Sequence, residues 1–234
     1  MLRVQNLSAG YRDTQVIESM NFSVETGEKV AILGRNGVGK TTLLATLMGI
    51  TDRTSGAILF DGTDVAHWNI SARARAGFGY VPQTRDIFPS LTVNDNLRIG
   101  LKSGTDKRLS DAYDLFPRLK ERHKNYAGQL SGGEQQMLSI ARTMLGSPSL
   151  LLLDEPLEGL APVLCDELMG SLMALSDRSD LAILLVEQKI ERALDFADRV
   201  MILERGTVAW SGTATDLEQQ HDVVERYIGV SEFH

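Results

Sequence analysis

Residues 34–41, Gly-Arg-Asn-Gly-Val-Gly-Lys-Thr, narrow the possible folds more than any other stretch, because they match the spacing G-x-x-x-x-G-K-[ST]. Val30 to Leu33 just before them is an apolar run of strand character. Leu43, Leu44, Leu47 and Met48 after them recur at helical spacing. A strand that enters a glycine-rich turn and leaves as a helix aims backbone amides and the positive helix end at one spot. Gly34, Gly37 and Gly39 allow those amides to curl around phosphate oxygens without Cβ clashes. Lys40 brings a mobile cation to the outer phosphates, and the Thr41 hydroxyl suits Mg²⁺. The expected phosphate-binding set is therefore Gly34, Arg35, Asn36, Gly37, Val38, Gly39, Lys40, Thr41 and Thr42.

A second feature complements the loop. Leu150 to Leu153 is an all-leucine run that ends in Asp154 and Glu155. In open parallel sheets ligands bind beyond the carboxyl ends of the strands, so these carboxylates are expected beside the loop. Asp154 is suited to hold Mg²⁺ through water, and Glu155 to orient and deprotonate an attacking water.

The pattern along the chain agrees. Strand character over Leu2, Val4, Leu7 and over Met20, Phe22, Val24 precedes the loop; Gly56 to Phe60 and Phe78 to Val81 follow. From about Phe88 to Ser147 helical spacing takes over: Leu91, Val93, Leu97, Ile99, Leu101 in one helix, Leu109, Tyr113, Phe116 in another, and Gly133 to Leu145 in a third. Strand–helix alternation then returns through Ile183 to Val186 and Val200 to Leu203, which implies a parallel sheet with helices on both faces. The expected architecture is one α/β domain, with a core of about 1–85 and 148–234 and a helical subdomain of about 86–147.

Composition excludes several classes. A net charge of −7 argues against a nucleic-acid surface. A single cysteine, Cys165, allows no internal disulfide and favours a reducing compartment. No run approaches the ~20 apolar residues of a spanning helix, and Met1 leads directly into strand pattern rather than a signal segment.

Between the two nucleotide motifs lies Leu130-Ser131-Gly132-Gly133-Glu134-Gln135-Gln136, which resembles the signature of the ABC (ATP-binding cassette) ATPases. Ser131 and the amides of Gly132 and Gly133 sit where a helix begins, again a place for an anion. The resemblance covers essentially the whole chain and implies a P-loop NTPase (RecA-like) core with an N-terminal antiparallel β-subdomain and an inserted α-helical subdomain. It further implies ATP and Mg²⁺, with Ser131, Gly132 and Gly133 serving the γ-phosphate held by an opposing ATPase subunit. By the same resemblance Tyr11 stacks on adenine, and Gln83 touches Mg²⁺ and links the sheet to the helical block. Leu157 to Pro162 is implied to cross the dimer interface.

One position departs from the family pattern. Most ABC ATPases carry a histidine after the strand equivalent to Leu184-Leu185-Val186-Glu187; here it is Gln188. None of His67, His123, His221 and His234 is placed to substitute. Glutamine can hydrogen-bond a γ-phosphate or water but cannot carry a proton, which shifts catalytic weight to Glu155 or marks a site of reduced hydrolysis. Leu185-Val186-Glu187-Gln188, Phe116 to Arg122 and Glu134 to Leu138 resemble an ATPase subunit of branched-chain and hydrophobic amino-acid importers. Gly34 to Lys40 and Tyr80 to Gln83 look more like urea and short-amide importers, so the solute stays open at this point. Either resemblance implies a different ATPase subunit as partner, with a homodimer possible in isolation. It also implies two permeases, a periplasmic binding protein, and a peripheral place on the cytoplasmic face of the cell membrane.

Overall fold

The computed structural model of the chain describes residues 1–101, 109–177 and 180–229. Strands β1 (Leu2–Tyr11), β2 (Thr14–Val24) and β3 (Lys29–Leu33) lead into the glycine loop, and α1 (Lys40–Met48) leaves it. Next come β4 (Asp52–Phe60), β5 (Thr63–Asp64), α2 (Ile70–Ala76) and β6 (Phe78–Val81). The helical stretch holds α3 (Val93–Gly100), α4 (Leu109–Leu115), α5 (Pro117–Glu121) and α6 (Gly132–Leu145). Alternation resumes with β7 (Leu150–Asp154), α7 (Pro162–Ser176), β8 (Ala182–Val186), α8 (Ile190–Phe196) and β9 (Arg199–Glu204). The described chain closes with β10 (Thr207–Thr213), α9 (Ala214–Glu218) and α10 (His221–Tyr227).

Two sheets result. Strands β2-β1-β4-β5 form an antiparallel sheet, and β10-β9-β3-β8-β7-β6 form a second in which every pairing except β10 with β9 is parallel. Parallel pairing brings the carboxyl ends of β3, β8, β7 and β6 to one edge. The glycine loop, Gln188, Glu155 and Gln83 follow those ends, and Asp154 is the last residue of β7. This is the P-loop NTPase architecture that the family resemblance implies.

The parallel strands are buried on both faces, which explains their unbroken aliphatic sequences. Val30, Ile32, Leu150, Leu152, Leu184 and Val186 pack with Leu43, Leu44 and Leu47 of α1 and with the antiparallel sheet. Leu151, Leu153, Ile183 and Leu185 point the other way, toward Met137, Ile140 and Ala141 of α6 and Leu168 and Leu172 of α7. A smaller core joins Ala31, Leu33, Val200 and Ile202 to α8, α9 and α10.

Some expectations shift. Leu91 and Leu101 fall outside α3, because the Thr92 side chain caps the helix by accepting from the Asp95 amide, and the helix stops at Gly100. Ile99 is on the solvent side, 55% exposed. Helix α2, the edge strand β10 and the last two helices have no counterpart in the pattern reading, being short and weakly periodic.

Helix α2 matters to the loop's helix. Its Arg73 is buried, 2% exposed. The guanidinium donates to Thr46 O at 2.7 Å and Leu47 O at 2.6 Å, satisfying carbonyls at the end of α1, and to Ala66 O at 3.0 Å. Arg73→Ala should leave Leu47 O and Ala66 O without this donor and Thr46 O with the Gly49 amide alone, costing about 3 kcal/mol, and lower the melting temperature by about 5–10 °C. Thermal unfolding followed by circular dichroism checks this; an unchanged midpoint would show that α1 does not depend on Arg73.

Candidate functional site

The loop owes its shape to its glycines. Gly34 has φ +143°, and a Cβ there would lie 2.5 Å from Leu203 O, so any side chain would collide with β9. Gly39, at φ +110°, occupies the N-cap of α1 without a side-chain cap, which leaves the first helical amides open to a ligand. Lys40, at the first position of α1, is only 5% exposed. Its Nζ donates to Gly34 O at 2.7 Å and Arg35 O at 3.2 Å and lies 4.0 Å from Glu155 Oε1. Burial lowers the Lys40 pKa, while the Glu155, Asp154 and Glu187 charges raise it.

The Thr41 hydroxyl donates to Asp154 Oδ1 at 3.1 Å. Asp154 ends β7 and is 1% exposed. Burial pushes its carboxyl up to about 6, opposed by the Thr41 hydrogen bond and aided by the neighbouring Glu155 charge. Its Oδ2 is buried and makes no hydrogen bond of ordinary geometry, although the nearby Tyr80 hydroxyl also favours the charged carboxylate. A hydroxyl beside a carboxylate with a spare buried oxygen suits a hard divalent cation. No cluster of three His, Cys, Asp or Glu side chains able to hold a metal exists among the described residues. The remaining ligands of such a cation would be Gln83, which lines the same cleft, phosphate oxygens and water.

Glu155 turns the chain out of the sheet at φ +47°, held there by its amide donating to Val186 O at 2.9 Å. Its Oε2 accepts from Gln188 Nε2 at 2.6 Å. Gln83 approaches the same oxygen at 3.5 Å but donates more closely to Glu158 Oε2, at 2.5 Å. Asn36, Gly37, Gly39, Lys40, Thr41, Thr42, Gln83, Glu155 and Gln188 thus line one polar cleft of about 290 Å³, together with Val16 and Glu158.

Other expected residues stand apart from it. Ser131, Gly132 and Gly133 are absent from the cleft lining. Ser131 caps α6 in a reciprocal box, its Oγ accepting from Glu134 N at 3.3 Å while Glu134 Oε2 accepts from Ser131 N at 2.8 Å. Tyr11 ends β1 and is 47% exposed. His67, His123 and His221 also lie outside the cleft lining, and His234 falls outside the described residues.

Two carboxylates escaped the pattern reading as site elements. Glu158 belongs to the cleft, and Glu187 lies beneath it, 2% exposed. Burial raises the Glu187 pKa against hydrogen bonds from the backbone amides of Leu157, Gln188 and Lys189. A charged residue directly after five buried aliphatics was the available signal, since a carboxylate there must be held by donors.

Comparison with known proteins agrees with this geometry. The ABC transporter family profile matches residues 17–158. The chain belongs to the ABC transporter family. It is 38% identical to the high-affinity branched-chain amino acid transport ATP-binding protein BraG of Pseudomonas aeruginosa, over 98% of this chain and 100% of that one. It is 36% identical to the probable branched-chain amino acid transport ATP-binding protein LivF of Archaeoglobus fulgidus, over 97% of each. Another branch is also near: the lipopolysaccharide export ATP-binding protein LptB of Escherichia coli is 35% identical over 97% of each chain. Among solved structures, cbiO1 of Clostridium perfringens superposes with a TM-score of 0.82 at 27% identity, covering 96% of this chain and 93% of that one. This ABC protein is accordingly an ATP-binding, ATP-hydrolysing subunit of a membrane transporter. No helix among its described residues is long and apolar enough to cross a membrane.

The Asp154 carboxylate should cost stability in the nucleotide-free state. Its folded pKa near 6 exceeds the unfolded value of 3.8, so the folded state loses relative stability as pH rises through that window. Asp154→Asn should therefore stabilise the nucleotide-free ABC subunit by about 1–2 kcal/mol above pH 6 and by nothing below about pH 4. Urea titrations at pH 8 and pH 4 would measure it, and equal stability of both proteins at pH 8 would refute it.

Proposed function

We propose that this chain energises uptake of branched-chain or other hydrophobic amino acids, hydrolysing ATP at an interface with a second ATPase subunit. The observation that carries the catalytic half is the contact of Gln188 Nε2 with Glu155 Oε2, 2.6 Å, in the cleft that also contains Lys40. In this reading Glu155 is the general base, and Gln188 orients it by a hydrogen bond without exchanging a proton. Lys40 and the loop amides of residues 34–42 hold the phosphates, with Tyr11 against the adenine. Thr41, Asp154 and Gln83 hold Mg²⁺, which when bound supplies neutralising charge at the phosphates.

The position of Ser131, Gly132 and Gly133 outside the cleft supports their use by the ATP of an opposing subunit. ATP then favours the closed pair, and hydrolysis reopens it; the work comes from differential affinity for the two states. A core of about 1–85 and 148–234 would move against the helical block of about 86–147, pulling on two permeases from the cytoplasmic face of the membrane. Full-length likeness to BraG and LivF supports the amino-acid class; a partner ATPase of different sequence and a periplasmic protein that selects the solute complete the proposal.

Glu155→Gln should abolish turnover while ATP still binds, leaving closed dimers visible by light scattering. Wild-type turnover would remove Glu155 from the role of base. Ser131→Arg should leave ATP bound to the mutant's own loop and extinguish hydrolysis at the partner's site; loss confined to its own site would refute the shared interface. In proteoliposomes with permeases and binding protein, leucine should stimulate hydrolysis and urea should not; the reverse result would reassign the solute.

A further inference from the structure

Beneath the cleft, one buried side chain bridges two segments that the proposed mechanism treats separately. Glu187 Oε1 accepts from the amide of Leu157 at 3.0 Å, and Glu187 Oε2 accepts from the amide of Gln188 at 3.1 Å. Leu157 opens the loop that follows the acidic pair; Gln188 is the residue whose side chain holds Glu155. A carboxylate serving only its own strand-to-helix turn would need only the Gln188 and Lys189 amides. The first reaches a residue 30 positions away in sequence, and it buries a charge at 2% exposure to do so. Such burial is costly unless the carboxylate's oxygens find donors, which is the case here.

The loop is attached at further points. Glu158 N donates to Glu155 O at 3.1 Å, and the Glu158 carboxylate accepts from Gln83 at 2.5 Å. Leu157 is fully buried and its carbonyl lies near the Cys165 thiol of α7, so the loop start cannot shift without disturbing the core. A displacement of the loop therefore reaches Gln188 through a single rigid side chain, and Gln188 passes it to Glu155. Beyond the packing of Leu157, the carboxylate fixes one amide on each segment with charge-assisted, directional bonds.

We propose that Glu187 is a positioning residue that locks the loop beginning at Leu157 to Gln188, so that a partner subunit seating on that loop sets the orientation of Glu155. The inference rests on the roles given above to Glu155, Gln188 and the interface loop. It adds a mechanical link between interface and base through a side chain that is itself outside the cleft lining.

Steady-state ATP hydrolysis by the purified transporter complex tests it, with rates counted per bound nucleotide so that unfolded chain does not contribute. Glu187→Ala should lower kcat by about tenfold or more, the order of one lost charge-assisted hydrogen bond, while KM for ATP stays within about threefold. Glu187→Gln keeps the shape and one acceptor oxygen but turns its NH₂ toward backbone amides that donate to the carboxylate. It should fall between Ala and wild type, and it decides the matter alone if the Ala variant does not assemble. Wild-type kcat in the variant, or a loss of kcat matched by an equal rise in KM, overturns the inference. Glu155→Gln, run in parallel, separates the two levels. If Glu155→Gln turns over normally, the base assignment fails and this inference with it; if only the Glu187 variants are normal, this inference alone is wrong.

Discussion

Parallel pairing of β3 with β8, and of β8 with β7, is the constraint on which the rest of the structure depends. Each of these strands is buried on both faces, so each must end where polar backbone can meet water or ligand. Because the strands run the same way, those ends coincide, and the residues after them meet regardless of distance in sequence. Thr41 and Asp154, separated by 113 positions, are brought to 3.1 Å. Glu155 and Gln188, separated by 33, are brought to 2.6 Å. The cleft is a consequence of sheet direction before it is a consequence of any side chain.

The cleft is also electrostatically unsettled. A buried ammonium with a lowered pKa faces buried carboxylates, of which Asp154 is raised to about 6 and Glu187 is raised by desolvation. Lys40 spends its hydrogen bonds on the loop carbonyls of Gly34 and Arg35. A triphosphate offers the ammonium a better partner, and a divalent cation would do the same for the spare Asp154 oxygen.

Replacement of the usual family histidine by Gln188 changes the character of this arrangement. An imidazole can exchange protons and carry charge; a carboxamide can only donate and accept hydrogen bonds. The 2.6 Å contact to Glu155 therefore orients the carboxylate without competing for its proton. Glu187 Oε2 also accepts from the Gln188 amide, so a buried carboxylate holds the backbone of the residue whose side chain contacts Glu155.

Much of this was legible in residue order because it depends on local physics. Gly34 to Thr41 can only make a strand–turn–helix with amides aimed outward, and Leu150 to Glu155 can only be a buried strand ending in charge. Those two stretches, with Ser131 to Gly133 between them, determined the family and the fold class. What residue order could not decide is who meets whom. Arg73 caps α1 from a short helix with no apolar period, and Glu187 reaches Leu157 across the sheet edge. Glu158 takes the side-chain bond of Gln83. These are pairings between segments distant in sequence, set by strand order and by the need to satisfy buried charge. Neither quantity has a period or a spacing, so only the tertiary structure could supply them.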